Sequence, residues 1–193
     1  MARYLLNREK VVWFYKWQQL VGFSDLWTDS DWGGAIEERK SSSGGVWMIG
    51  SHCIKVWSAT QGAYALSSAE AEFYAMIEGV TRSKGLISLA SELGFKGLSN
   101  VVNVYTDSSA AKSFVNRWGL GKMRHIEIRD LWLQKEVNEG KVTVSKVPGD
   151  DNPADLLTKV LGVGAVVHRL ELMNLKFCLL YTSPSPRDLS TSR

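Results

Sequence analysis

The stretch LWTDSDWGG, Leu26 to Gly34, sets two aspartates two residues apart between tryptophans, at the end of a segment that reads as a strand. Strand interiors disfavour Asp, and like charges on one face of a strand repel each other. Each acid can start the turn that Gly33 and Gly34 invite, which is the common use of Asp; the alternative is that one of them serves chemistry. Outward from this stretch, KVVWFYKW (residues 10–17) and LVGFSDLWTD (20–29) read as two strands joined by a short turn at Gln18 and Gln19. GGVWMIGS (44–51) and CIKVWSAT (53–60) follow as a hairpin around Ser51 and His52.

Beyond the hairpin the period changes from two to that of a helix. SSAEAEFYAMIEGVTRSKGLISLASELG (67–94) carries Phe73, Met76, Ile77, Val80, Ile87 and Leu93 at helical spacing, with Gly94 as the stop. VVNVYTD (101–107) is a strand that enters a helix through Ser108 and Ser109, with Ala110, Ala111, Phe114, Val115 and Trp118 on it. Asp107 therefore falls at a carboxyl strand end, where open αβ sheets place their chemistry, although it can equally help to cap the following helix. HIEIRDLWLQKEVNEG (125–140) predicts another helix closed by Gly140, KVTVSKV (141–147) a strand, and NPADLLTKVL (152–161) a last helix with Asn152 as cap and Pro153 at its first position. After one strand near the N-terminus, the expected order is β-β-β-α-β-α-α-β-α.

Composition bounds this reading without deciding it. A chain of 193 residues, 45% hydrophobic and 22% charged, suits one αβ domain with a real core. Its apolar runs are broken by charge well short of the ~20 residues that span a bilayer, so no membrane partner is expected. Cys53 and Cys178 lack the paired spacing of a zinc site, and a reducing, intracellular setting is the default. A net charge of +3 permits a nucleic-acid partner but does not demand one. From Cys178 onward, CLLYTSPSPRDLSTSR resembles a translated sequencing adapter followed by polar residues, and 178–193 is expected to lie outside the fold. On that reading the chain is a fragment of a longer one.

TDSDWGG, RKSSSGGV, ALSSAEAEFYAM, YTDSSAA, MRHIEIRDLWLQKEV and NPADLLTKVL, in this order, resemble the ribonuclease H domain that ends the polyprotein of copia-type retrotransposons. The resemblance runs from Leu20 to Leu161. It implies a ribonuclease H-like α/β fold, a mixed five-stranded sheet with helices on both faces. It casts residues 1–19 as a remnant of the connection to an upstream reverse transcriptase, 20–161 as the domain, and 162–177 as a C-terminal helical extension. The implied activity is hydrolysis of the RNA strand of RNA–DNA hybrids during reverse transcription, in the cytoplasm with the element's particle or in the nucleus.

The resemblance also chooses among the acids. Asp29 matches the family's first metal ligand, and Asp107 the ligand of YTDS. In SSAEAEF, Glu70 can close an S-x-x-E capping box, whereas Glu72 has no such local duty and matches the ligand. Asp155 in NPADLL would favour a helix start by roughly 0.3–1 kcal/mol anyway; the family's AD pair makes it the fourth ligand. Two carboxylates 4 Å apart repel by about 4 kcal/mol at an effective dielectric of ~20, so four of them need cations. Oxygen ligands without His or Cys suit two Mg²⁺ or Mn²⁺ ions, with Asp29 bridging, Glu72 and Asp107 on one side and Asp155 on the other. Two such ions serve in-line attack of water on a phosphodiester. Asp31 is left to the turn. Arg39, Lys40, Ser108, Lys122, Arg124 and His125 are candidate substrate contacts, each with a solvated-loop or capping role as the plainer alternative. His52 and His168 carry no functional expectation. VPGDDNPAD lacks the histidine that many cellular ribonucleases H carry before the last helix, so no residue is assigned to proton transfer. A non-catalytic hybrid-binding domain, a decayed copy, and an integrase or DDE-type transposase with Glu136 or Glu139 as its late acid are the competing readings.

Overall fold

The computed structural model describes residues 10–19, 21–35, 39–121 and 126–177. Strands β2 (Ser24–Ala35), β3 (Lys40–Ile49) and β4 (His52–Thr60) form an antiparallel meander, and β5 (Val102–Thr106) and β6 (Val142–Lys146) extend it in parallel, β5 beside β2. The sheet order is β4-β3-β2-β5-β6, the mixed five-stranded sheet expected from the sequence. Strands are added outward from β2 to β4 on one side and from β5 to β6 on the other, so the strand order switches between the parallel neighbours β2 and β5, and a crevice at such a switch point is where αβ sheets bind ligands.

Both faces of the sheet are covered, and the alternation of strand side chains shows how. Trp47 joins Leu26, Val104, Phe73, Met76 and Phe114 in the larger core, beneath α1 (Ser68–Glu92) and α2 (Ser109–Val115). Its neighbours Val46 and Met48 face the opposite way, onto Ala154, Leu170 and Leu175. Helix α1 buries Phe73, Met76, Val80 and Ile87 on one stripe. At about 1.5–3 kcal/mol for each such side chain, this burial outweighs the roughly 1 kcal/mol lost at each of its interior glycines, Gly79 and Gly85.

Five local expectations are corrected. Strand β1 covers only Val11–Trp13 and does not pair with β2; it pairs antiparallel with β7 (Leu175–Phe177), so the two flanks of the domain make their own small sheet. Gln18 does not turn a hairpin. Its Nε2 donates to Ile49 O (2.8 Å) and its Oε1 accepts from Ser51 N (2.9 Å), which pins residues 14–19 across the β3–β4 turn. A two-residue hairpin there would need residues that accept positive φ, and two glutamines do not supply them. Helix α2 stops at Val115, leaving Trp118 exposed beyond it.

The predicted helix over 125–140 is a 3-10 turn (Ile128–Leu131) followed by α3 (Trp132–Asn138). The β-branched Ile126 and Ile128 favour a helix start weakly, and neither turn has a side-chain cap. The last helix is likewise a 3-10 turn, Pro153–Leu157, with Asn152 Oδ1 accepting from Ala154 N as the cap. The carbonyl of Leu157 accepts from Ser58 Oγ of β4 at 2.7 Å, so its acceptor is engaged by the sheet at the point where the turn ends. After Gly162, α4 (Val163–Leu172) leads into β7. Residues 122–125, and with them Lys122, Arg124 and His125, fall outside the described residues, as do 1–9 and the tail 178–193.

Candidate active site

The register of β2 against β5 places the first two acids. Trp27 stands opposite Tyr105, their rings stacked 4.9 Å apart. Two residues further on come Asp29, within β2, and Asp107, just past the end of β5, side by side at the switch point. Glu72 arrives from the first turns of α1, where Ser67 Oγ caps the helix by accepting from Glu70 N. Glu70 itself accepts from Leu66 N (2.8 Å) and from Tyr74 Oη (3.0 Å). It therefore clamps the residue before the cap, one position earlier than an ordinary capping box reaches.

Two glycines permit the close approach. A methyl at Gly79 of α1 would stand 2.9 Å from Leu26 Cδ2, so the helix lies on β2 as only glycine allows. Gly44 of β3 pairs with Asp29. A methyl there would meet Thr158 Cγ2 at 2.8 Å and Ala154 O at 3.0 Å. Gly44 thus lets the 3-10 turn with Asp155 lie directly on the sheet, and Asn152 Nδ2 fastens it there through Thr28 O (3.0 Å).

Asp29, Glu72 and Asp107 each offer a carboxylate oxygen within 4.8 Å of the others. Glu72 Oε1 accepts from both Ser30 N and Ser30 Oγ at 3.1 Å, whereas Oε2 is buried and has no hydrogen-bond partner among the described residues. Burial first, and then the charges of Asp29 and Asp107, push the Glu72 carboxyl up to about 8. Burial likewise raises Asp29 to about 6, with Thr158 and Lys159 holding it down. A buried carboxylate oxygen without a donor costs on the order of 1–3 kcal/mol or more. A hard divalent cation held by Asp29, Glu72 and Asp107 would satisfy it, and all-oxygen ligation suits Mg²⁺ or Mn²⁺.

Asp155 is not in that trio. Its Oδ1 accepts from Lys159 Nζ (2.8 Å) and its Oδ2 from Arg169 (2.9 Å), a guanidinium buried on α4 that also donates to Gly149 O and Asn152 O. Lys159 Nζ reaches Asp29 Oδ1 as well (2.9 Å), and Thr158 Oγ1 donates to Asp29 Oδ2. Against the burial that lowers it, Lys159 is held above its ordinary pKa by its bonds to Asp155 and Asp29. Lys159 stands at i+4 from Asp155, a spacing visible in the sequence. Arg169 has no comparable signal: it sits in VGAVVHRLEL, where only the oddity of one guanidinium on an apolar helix marks it.

The other candidates are dispersed. Arg39 is exposed at a positive φ of 54° in the β2–β3 turn, and Lys40 lies over the Tyr64 ring. Ser108 caps α2, its Oγ accepting from Ala111 N (3.2 Å). Asp31 Oδ1 accepts from Ser42 N (2.6 Å) where the β2–β3 register shifts, a structural duty. His52 bonds Lys16 O and His168 pairs with Asp151.

The strand order, the switch-point acids and the covering helices define the class: a ribonuclease H-like fold. In sequence, the chain is 35% identical over 136 residues to the retrovirus-related Pol polyprotein from transposon TNT 1-94 of Nicotiana tabacum, and 30% identical over the same length to that from transposon RE2 of Arabidopsis thaliana. Over these 136 residues the chain is similar to retrovirus-related Pol polyproteins of plant transposons. The match takes in 70% of the chain but only 10% and 9% of the two relatives, so the chain spans about a tenth of their length. No family model matches it. Among solved structures it is similar to LC11-RNase H1 from compost (15% identity, 71% of this chain and 93% of that one, TM-score 0.48). It is also similar to the N-terminal RNase H domain of a Mycobacterium tuberculosis protein (18% identity, 72% and 91%, TM-score 0.46).

Proposed function

We propose that the chain is the ribonuclease H domain of a copia-type element and cleaves the RNA strand of RNA–DNA hybrids, working beside the reverse transcriptase of the same polyprotein. The observation that carries this reading is the Glu72 carboxylate, grouped with those of Asp29 and Asp107, with Oε2 buried and unpartnered among the described residues. A fold built only for binding would have little reason to keep it.

In this reading Asp29, Glu72 and Asp107 would hold one divalent ion and Asp29 with Asp155 a second, Mg²⁺ or Mn²⁺. Such ions supply an activated water and charge stabilisation at the leaving 3′ oxygen. The chain's own residues orient the ligands. Ser30 fixes the Glu72 carboxylate through two donors, and Thr158 fixes Asp29. Arg169 anchors Asp155 and the carbonyls of Gly149 and Asn152 beside it. Arg39, Lys40 and Ser108, with Lys122, Arg124 and His125, are the proposed contacts to the hybrid's backbone. The RNA strand is distinguished by its 2′-hydroxyls in a wide, shallow groove, without reading bases.

The test is a labelled hybrid incubated with the chain and Mg²⁺ or Mn²⁺. Cleavage of the hybrid's RNA, with single-stranded RNA and duplex DNA spared, is expected, and Asp29→Asn or Asp107→Asn should abolish it. Activity that survives either substitution removes the ligand assignment. Cutting or joining of DNA ends would identify an integrase-type enzyme instead, and tight hybrid binding without cleavage a binding module.

A further inference from the structure

The four acids are neutralised unequally. Every carboxylate oxygen of Asp29 and Asp155 has a donor: Lys159 and Thr158 on Asp29, Lys159 and Arg169 on Asp155. Glu72 Oε2 has none among the described residues. A single ammonium, 2.9 Å from Asp29 Oδ1 and 2.8 Å from Asp155 Oδ1, therefore bridges the same two carboxylates that the proposed function gives to a second divalent ion. Mg²⁺ requires oxygens at about 2.0–2.1 Å in near-octahedral array, a geometry that an ammonium at hydrogen-bond distance from both oxygens does not leave room for. Lys159 is able to leave. Its side chain is 38% exposed, while Asp29 and Asp155 are buried, and its flexible four-carbon stem is anchored one residue beyond Thr158.

We propose that Lys159 is the resident cation of the Asp29–Asp155 pair, so that the cluster takes one divalent ion readily at Asp29, Glu72 and Asp107 and a second only in exchange for the Lys159 ammonium. This rests on the ribonuclease H reading of the site and adds a regulation to it. The two ions are unequal, and the second competes with a side chain carried by the protein. The displaced ammonium moves outward to solvent, where it loses two ion pairs and regains hydration. The cost of that exchange weakens the second ion relative to the first.

The experiment is titration of the full, metal-free chain with Mn²⁺, followed by calorimetry and by the electron paramagnetic resonance of the bound ion. Wild type is expected to bind one Mn²⁺ tightly and a second at least tenfold more weakly. Lys159→Met should bind the second at least tenfold more tightly than wild type does, with the dipolar broadening of a close Mn²⁺ pair appearing at lower metal concentration. Lys159→Gln, which retains a hydrogen-bond donor and provides a second folded variant, should shift in the same direction. Lys159→Arg, which keeps the charge, should titrate like wild type. Equal affinity for the second ion in wild type and Lys159→Met overturns the proposal, as does Lys159→Arg behaving like Lys159→Met. Failure of the function reading is separable. Unchanged titrations in a wild type that cleaves hybrid remove only the role of Lys159, whereas the expected titrations in a wild type that cleaves no hybrid remove only the activity.

Discussion

The two sides of the acid cluster solve one electrostatic problem in opposite ways. On the side of Asp155 the protein supplies its own cations, Lys159 and the buried Arg169, and the carboxylate oxygens are saturated. On the side of Glu72 it supplies hydroxyl and amide donors from Ser30 to one oxygen and, among the described residues, nothing to the other, and burial with the neighbouring acids pushes the carboxyl up to about 8. The first side is built for stability without a ligand. The second is strained in the absence of one, which is the usual condition of a site whose pKa values are displaced by burial and like charge.

Substitutions on the two sides should therefore have opposite signs. Glu72→Gln keeps an acceptor for Ser30 and replaces the unpartnered oxygen with an amide donor in the cluster with Asp29 and Asp107. Hybrid cleavage should fall on the order of 10³-fold, the equivalent of the several kcal/mol that a metal contributes, while the metal-free chain melts at a higher temperature than wild type. Arg169→Ala should do the reverse to stability. It strands the buried Asp155 with one cation and removes donors from Gly149 O and Asn152 O, a loss of about 3–5 kcal/mol in urea unfolding. Equal destabilisation by both substitutions would erase the distinction between the sides.

The Glu72 side was the more legible in sequence. Periodicity puts Asp29 and Asp107 at strand ends and capping logic leaves Glu72 without a local duty, and the family resemblance then singles out these three. On the Asp155 side the acid was named from the sequence but its setting was not. Arg169 comes from a helix with no local tie to the site, and its partners Gly149 and Asn152 are fixed only by tertiary packing. The same limit explains β1. An alternating run of apolar residues marks a strand, but nothing local says that its partner is β7, more than 160 residues away in sequence. The 3-10 form of 153–157 was also hidden, since it depends on Gly44 opposite and on Ser58 holding the Leu157 carbonyl.

The pH dependence of the metal-free chain should sharpen the contrast further. Folding raises Glu72 from 4.5 to about 8 and Asp29 from 3.8 to about 6. The folded chain thus binds protons that the unfolded chain has released, and this contribution to stability is full below about pH 4 and lost as pH rises through 6 and then 8. Lys159 is also raised, but from 10.5, so its contribution is constant across that window. Melting temperatures taken from pH 5 to 8.5 in chelator should decline, and Glu72→Gln should lose the upper limb of the decline, between 6 and 8. Saturating Mn²⁺ should reverse the trend in wild type, because binding requires both carboxylates ionised. A flat profile in chelator would mean that Glu72 is ionised in the folded chain and that its side of the cluster is not strained.

The smallest effect is expected at Asp31, the acid that shares a strand with Asp29 and belongs to neither side. Its Oδ1 accepts from Ser42 N at the β2–β3 irregularity, and it is absent from the cluster that Asp29 forms with Glu72 and Asp107. Asp31→Asn preserves an acceptor for Ser42 and removes only the charge. Stability should change by less than about 1 kcal/mol, the worth of one partly exposed hydrogen bond, and hybrid cleavage and the affinity for the first Mn²⁺ should stay within about threefold of wild type, or ~0.7 kcal/mol. A loss of cleavage comparable to that of Glu72→Gln would instead bring Asp31 into the site, and a second carboxylate on the strand would then share the work assigned to Asp29. With the expected result, two aspartates separated by one serine differ in function because Asp29 stands with Glu72 and Asp107, whereas Asp31 holds the Ser42 amide where β2 and β3 lose register.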